Sequence, residues 1–311
     1  MMNIATLTMN PTVDVSFAVD GVFHTRKMHG HNELHAPGGG GINVARVFVR
    51  LGGNARCYYP SGGATGMALD GLLDLHQLVR SRVSIKGDTR VSTTVFETSS
   101  EREYRFDTDG PEVSPDEWQR CLDLLGQAEC DYLVASGSLP RGVPDDFYAR
   151  VASLAKQRGI RFVLDSSGSG LAQGLAGGNV FLVKPSIGEL RALTGQQLAS
   201  EQEIAVAAHA IVLRGEAEHV AVTMGRDGAL LANAAGAVCL PAIPMQAASS
   251  VGAGDSFLAA MVHALASGRE PDDAFRFGIA AGAAAMLRPG TDLARPEDIR
   301  RFYTQAQVLA R

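Results

Sequence analysis

Short runs of Val, Leu, Ile and Phe alternate with longer amphipathic segments through most of the chain. Strands that cross over through helices into a parallel sheet produce this alternation, because both sheet faces are then covered and each strand reads as a nearly continuous apolar run. Residues 55–60, 131–136, 160–165, 180–183 and 219–223 are expected to be such strands, each running out into polar or glycine residues. Helices are expected at 42–51, 115–126, 144–158, 201–214, 253–267 and 272–287, several opened by Pro, Asp or Ser. Two stretches, 12–37 and 89–107, break the alternation. In the second, Val91, Thr93 and Val95, then Tyr104 and Phe106, keep a period of two. The expected fold is therefore α/β. It has a three-layer α/β/α core with a mainly parallel sheet (1–11, 38–88 and 108–311) and a small β-sheet lid (12–37 and 89–107). An ordinary hairpin without a ligand role would give the same local pattern at the lid.

A chain of 311 residues, 46% hydrophobic and 20% charged, can bury a large core. The net charge of -5 argues against a general nucleic-acid surface, which needs clustered Lys and Arg. An anionic small molecule would need a local pocket instead. Four lysines, Lys27, Lys86, Lys156 and Lys184, stand against twenty-four arginines, so a lysine inside a motif carries more weight. Cys57, Cys121, Cys130 and Cys239 have neither redox-pair nor zinc spacing and read as buried thiols. The sequence opens directly into residues 3–9, and no apolar run approaches a membrane span. A cytoplasmic location with no membrane partner is expected.

Gly252-Ala253-Gly254-Asp255 precedes an apolar helix pattern. The first turn of a helix has unpaired N–H groups and roughly half a positive charge, so it attracts a phosphoryl group. An Asp in that field is expected to stay ionised and to accept or orient a hydroxyl proton. Simple electrostatic capping of a helix after a turn is the alternative. Four consecutive glycines, 38–41, followed by Ile42-Asn43, suggest backbone lying against a ligand, with Asn43 offering donor and acceptor to hydroxyls; a hinge is the alternative. Asp14 could accept from a polyol or serve in a turn.

Arg90 and Arg105 lie on the two lid strands and could converge on a phosphate, or remain solvated. Ser138 follows a strand directly, at a carboxyl end where ligands bind in open α/β sheets; a plain loop is the alternative. Lys184 and Glu189, at a strand-to-helix junction, could meet nucleotide phosphates and a hydrated magnesium ion, although Glu189 also suits a helix first turn. Thr223 and Gly225 sit in a turn between strands. No Gly-Lys dipeptide occurs, which excludes a P-loop, and no G-x-G-x-x-G follows the first strand, which disfavours a nicotinamide dehydrogenase.

In order and spacing over nearly the whole chain, the glycine run at 38–43, the segment 136–140, Lys184-Pro185 with Glu189, and Gly252 to Asp255 resemble the ribokinase-like, or PfkB, family of carbohydrate kinases. Residues 6–14 and 38–46 are most similar to its phosphofructokinase branch. The resemblance implies phosphorylation of a ketose phosphate by ATP and Mg2+, most simply fructose 6-phosphate, since kinases of fructose 1-phosphate and tagatose 6-phosphate tend to carry Lys where this chain has Gly40. It implies Asp255 as base, with the amides of Gly252, Ala253 and Gly254 around the migrating phosphoryl group. Asp14, Gly39, Gly40 and Asn43 would hold the sugar, and Lys27, Arg90, Arg105 and Ser138 its phosphate.

By the same resemblance, Lys184, Ser186, Glu189, Thr223, Gly225, Ser250 and Gly282 belong to the nucleotide side, with Glu189 holding the metal through water. Residues 280–284 would pack near the adenine. Ser186 stands where the family usually has Asn, and a K+ site would fall at 288–292. An alternating apolar face on the lid needs a partner, so a homodimer through the lid is expected. A non-catalytic sugar-phosphate sensor is the alternative of another class, and retention of Asp255 with its glycines speaks against it.

Overall fold

The computed structural model describes residues 2–246, 249–287 and 292–309. In chain order its strands are β1 (Asn3–Leu7), β2 (Thr12–Val19), β3 (His31–Gly38), β4 (Asn54–Ser61), β5 (Val79–Ser84), β6 (Arg90–Glu97) and β7 (Arg102–Phe106). They continue as β8 (Tyr132–Ser136), β9 (Arg161–Asp165), β10 (Val180–Val183), β11 (Ala217–Thr223), β12 (Ala229–Asn233) and β13 (Gly236–Leu240). The helices are α1 (Gly40–Arg50), α2 (Gly63–Leu75), α3 (Pro115–Leu125), α4 (Phe147–Gln157) and α5 (Gly168–Ala176). The remainder are α6 (Ile187–Thr194), α7 (Glu201–Leu213), α8 (Ala253–Ala266), α9 (Pro271–Ala285) and α10 (Pro296–Leu309).

Nine strands form one sheet in the order β13-β12-β11-β10-β9-β8-β1-β4-β5. The seven from β5 to β11 are parallel, and β12 and β13 close one edge antiparallel. Alternate side chains enter two cores. Ile4, Val134, Val163 and Leu182 pack with α1, α8 and α9 on one face. Ala5, Leu133, Leu164 and Val183 pack with α3, α4, α5 and α7 on the other. This period of two, buried on both faces, is why each strand reads as a continuous apolar run. β1 has β4 on one side and β8 on the other, so the winding reverses there. A crevice forms at the carboxyl ends of strands beside such a reversal.

The second sheet runs β3-β2-β6-β7. Its period-two segments pair as the alternation of 89–107 suggested, but the sheet is mixed: β2 is antiparallel to β3 and parallel to β6, from Thr12 opposite Arg90 to Val19 opposite Glu97. Leu34, Phe96 and Phe106 are exposed on it. Four helices, α2, α5, α6 and α10, lie outside the spans expected from periodicity. α2 and α5 are broken by glycines at 63, 66 and 71 and at 168, 170 and 174, which weaken the helical signal. β5 (VRSRVS) sits at the sheet edge and is too polar to stand out. No helix among the described residues is long and apolar enough to cross a membrane.

Candidate active site

Residue 252 starts the site for backbone reasons. Gly252 caps α8 with φ 72°, in the left-handed region, and a Cβ there would fall 2.4 Å from Leu293 Cδ2. Glycine is the residue that accepts both conditions. Gly252, Gly254 and Asp255 then line a cleft of about 320 Å³. The Ala253 amide makes a long 3.4 Å bond to the Ser250 carbonyl, and Ala253 does not line the cleft.

Asp255 Oδ2 accepts a hydrogen bond of 2.9 Å from Asn43 Nδ2, across 212 residues of sequence. Burial pushes the Asp255 carboxyl up to about 6, and the nearby Asp165 charge adds to this; Asn43, Lys184 and Arg105 pull the other way. The helix field was expected to keep this Asp ionised. At about 6 the carboxyl is still charged at neutral pH, as expected, although burial brings its titration much closer to that range.

Asp14, on β2, is also buried, and burial raises it to about 6 against the opposing charges of Arg105, Arg46 and Arg90. Its Oδ1 is a buried acceptor without a partner on the cleft wall, the condition that a ligand hydroxyl would relieve. The glycine run is held by close approach: a Cβ on Gly40 would sit 2.1 Å from Ser136 Oγ. The run is therefore packed rather than hinge-like.

Arg90 of β6 and Arg105 of β7, on the small sheet, both line the cleft. Arg90 donates from Nε and Nη2 to the Asn10 carbonyl and from Nη1 to that of Thr108; half-exposed Arg105 pairs with Asp107 at 3.0 Å. Gly39, Gly40, Asn43, Ser138 and Glu189 complete the lining among the candidate site residues.

Lys184 stands just behind the wall, buried, with Nζ 3.0 Å from Asp165 Oδ1. Burial alone would lower its pKa, but the carboxylates of Asp165, Asp255 and Glu189 win and raise it. Asp165 Oδ2 accepts from Ser136 Oγ at 3.0 Å. Asp165, Ser136 and Ser166 line the cleft and were not singled out; that residue 165 ends an apolar strand was the available signal.

Ser186 and Glu189 form a reciprocal capping box at the start of α6. Glu189 Oε2 takes both the Ser186 amide and hydroxyl, and the Glu189 amide donates to Ser186 Oγ at 3.2 Å. Thr223 bridges to Ser186, and Gly225 follows, so these groups collect at the carboxyl ends of β10 and β11. Gly282 lies on α9 against Ala253 and Phe257 of α8. Ser250 is exposed beside Gly252, and Lys27 is exposed between β2 and β3, outside the cleft lining. Of the 288–292 segment, 288–291 fall outside the described residues, while Asp292 pairs with Arg50 and Arg295.

A larger trough of about 1120 Å³ opens at the amino ends of β9, β10 and β11. None of the candidate site residues lines it; those that line a cavity line the smaller cleft at the carboxyl ends.

Residues 7–298 match the pfkB family carbohydrate kinases. The chain is 43% identical over 305 residues to ATP-dependent 6-phosphofructokinase isozyme 2 of Mycobacterium tuberculosis, covering 97% of this chain and 89% of that protein. It is 31% identical to the 1-phosphofructokinase of Bacillus subtilis, over 98% and 99% of the two chains. Its structure superposes on phosphofructokinase-2 from Escherichia coli in complex with potassium with a TM-score of 0.95, at 37% identity, over 99% of this chain and 100% of that one. On the family match and these identities, the chain belongs to the pfkB family of carbohydrate kinases.

Proposed function

We propose that this sugar kinase transfers the γ-phosphoryl group of ATP to O1 of fructose 6-phosphate, giving ADP and fructose 1,6-bisphosphate. The observation that carries the reading is the Asp255 carboxylate, held by Asn43 at the amino end of α8 in one cleft with Asp14, Arg90 and Arg105. Asp14 and Asn43 position the sugar hydroxyls, and Arg90, Arg105 and Ser138 receive the phosphate it already carries. Asp255 draws the proton from O1 as that oxygen attacks the γ-phosphorus. The bond to the bridging oxygen breaks, and ADP leaves on the side of Lys184, Thr223 and Gly225. The cleft-lining N–H groups at Gly252 and Gly254 meet the charge on the migrating group, in a reaction where positioning and electrostatics do most of the work.

Among the described residues no three His, Cys, Asp or Glu side chains gather as a metal nest. Glu189 lines the cleft and gives only Oε2 to its cap, which fits a carboxylate that holds a divalent ion through water. Glu189 would hold such an ion through water, and Mg2+ there would supply neutralisation of phosphate charge. A K+ requirement is part of the same proposal, resting on the superposed potassium complex.

The small sheet acts as a lid that keeps water from the phosphoryl group. Ser249, just before α8, donates to Glu103 of β7 at 3.1 Å, linking the sheet to the segment that leads into Gly252. Its exposed Leu34, Phe96 and Phe106 suit a homodimer. Light scattering at working concentration is expected to give twice the chain mass, and a monomer would remove this part of the proposal.

Kinase activity on fructose 1-phosphate is the second reading, favoured by the 31% relative. A Cβ at Gly40 would sit 2.1 Å from Ser136 Oγ, so a lysine there would require Ser136 to shift, and the resemblance that ties such a lysine to the other ketose phosphates favours fructose 6-phosphate. Comparing kcat/KM for fructose 6-phosphate, fructose 1-phosphate, tagatose 6-phosphate and unphosphorylated fructose, by coupled ADP release, tests the choice. A best rate on anything but fructose 6-phosphate overturns it. In the same assay Arg105→Ala is expected to raise KM for the sugar phosphate roughly ten- to a hundredfold, as a charge-assisted bond lost, with kcat and KM for ATP little changed. An unchanged sugar-phosphate KM would take Arg105 out of the site.

A further inference from the structure

Arg46 lies one turn along α1 from Asn43 and is buried, 4% exposed. Its Nη1 donates to Asn43 Oδ1 at 3.0 Å and to the Pro37 carbonyl at 3.0 Å. Asn43 passes the contact on, since its Nδ2 donates to Asp255 Oδ2 at 2.9 Å. A guanidinium has donors and no acceptor, so only one orientation of the amide satisfies both neighbours. Flipping Asn43 would set NH2 against guanidinium and carbonyl oxygen against carboxylate, replacing two bonds by two repulsions. We infer that Arg46 is a positioning residue: it locks the polarity of the Asn43 amide and so aims the reactive oxygen of Asp255.

This rests on the kinase reading above. With Oδ2 committed to the Asn43 donor, Oδ1 is the oxygen left to take the acceptor proton. Stability does not account for Arg46. Its Nε is buried without a partner, and a buried cation with an unmet donor is costly in a core that an aliphatic side chain could fill. The charged and titratable groups around it are Asp14 on β2, Asp255 on α8, Arg50 one turn on, Asp292 and His76. Removing its charge therefore makes both cleft carboxyls harder to ionise. The glycine run and Asn43 stand out from sequence, whereas the i,i+3 relation to Arg46 reads as ordinary helix until Asp255 is seen on the far side of the amide.

The test is the pH dependence of kcat and kcat/KM for the unaltered enzyme, Arg46→Lys, Arg46→Met, Asn43→Ala and the Asn43→Ala/Arg46→Lys double variant, each first checked for a native melting transition. Arg46→Met is expected to lose about a hundredfold in kcat, the effect of misaiming a reacting group, with KM for ATP unchanged and the acid limb of kcat/KM moved to higher pH. Arg46→Lys keeps the charge and so restores the limb, while recovering only part of kcat because an ammonium on a shorter side chain does not reproduce the two fixed N–H directions of Nη1. In the Asn43→Ala background, Arg46→Lys is expected to cost nothing further. If Arg46→Met does not fold, the lysine variant and the double variant still decide. Additive losses in the double variant, or a folded Arg46→Met with unchanged kcat and acid limb, overturn the inference. Absence of turnover on every ketose phosphate by the unaltered enzyme overturns the proposed function instead.

Discussion

Asp255→Asn is expected to lower kcat by about a thousandfold or more, as for loss of a general base together with its local charge, while the KM values for sugar phosphate and ATP move little. Asn keeps the shape and can still accept from Asn43 Nδ2, so the cleft is preserved. The same substitution should stabilise the protein at neutral pH. A carboxyl raised by burial holds its proton more firmly folded than unfolded between its ordinary value near 3.8 and about 6. The folded state therefore loses stability as pH rises through that window, and above it bears the full cost of a buried charge. Removing the charge should add up to about 3 kcal/mol at pH 7, the energy that separates a carboxyl at 3.8 from one at about 6. The gain should vanish below about pH 4. A loss of activity without a gain in melting temperature at pH 7, or a gain that persists at pH 4, would contradict this account. Near-normal turnover would remove Asp255 from the mechanism. In the unaltered enzyme, kcat/KM should fall below about pH 6 with a slope steeper than one, because Asp14 titrates in the same range.

Lys184→Met is expected to be the most destabilising single change, by about 3–5 kcal/mol, the cost of leaving one member of a buried ion pair alone. The pair is nearly enclosed: the Lys184 side chain is 7% exposed and that of Asp165 is 13% exposed. Without the ammonium, Asp165 keeps only the Ser136 hydroxyl and faces Asp255. Two carboxylates then share a cleft, and part of the stability should return as pH falls and one of them binds a proton. Adding Asp165→Asn should recover most of the loss at neutral pH. Urea unfolding of both single variants and the double variant measures this coupling. Additive effects would mean that the pair carries no special energy.

Local chemistry made several features readable in advance. The strand at 160–165 and its neighbours were legible because a strand buried on both faces must be apolar throughout, and α8 because glycines and an Asp precede an unbroken apolar stretch. The role of glycine at 40 was legible as close approach, though not what it approaches, since Ser136 arrives from a strand almost a hundred residues away. Edge elements such as β5 were not legible, because one exposed face admits arginine and serine into the strand. Nor was the parallel pairing of β2 with β6, because alternation fixes which face a residue takes and not the direction of its neighbour.

By itself the sequence determined the layered α/β class, the glycine turn that opens α8, and the acidic residue placed at its mouth, because each follows from contacts within a few residues. Tertiary structure alone decided that Asn43 holds Asp255, that Arg46 orients Asn43, and that Lys184 neutralises Asp165. It also decided that burial raises the Asp14 and Asp255 carboxyls to about 6. Desolvation and long-range pairing depend on what the rest of the chain brings to a point, and no short stretch of residues carries that information.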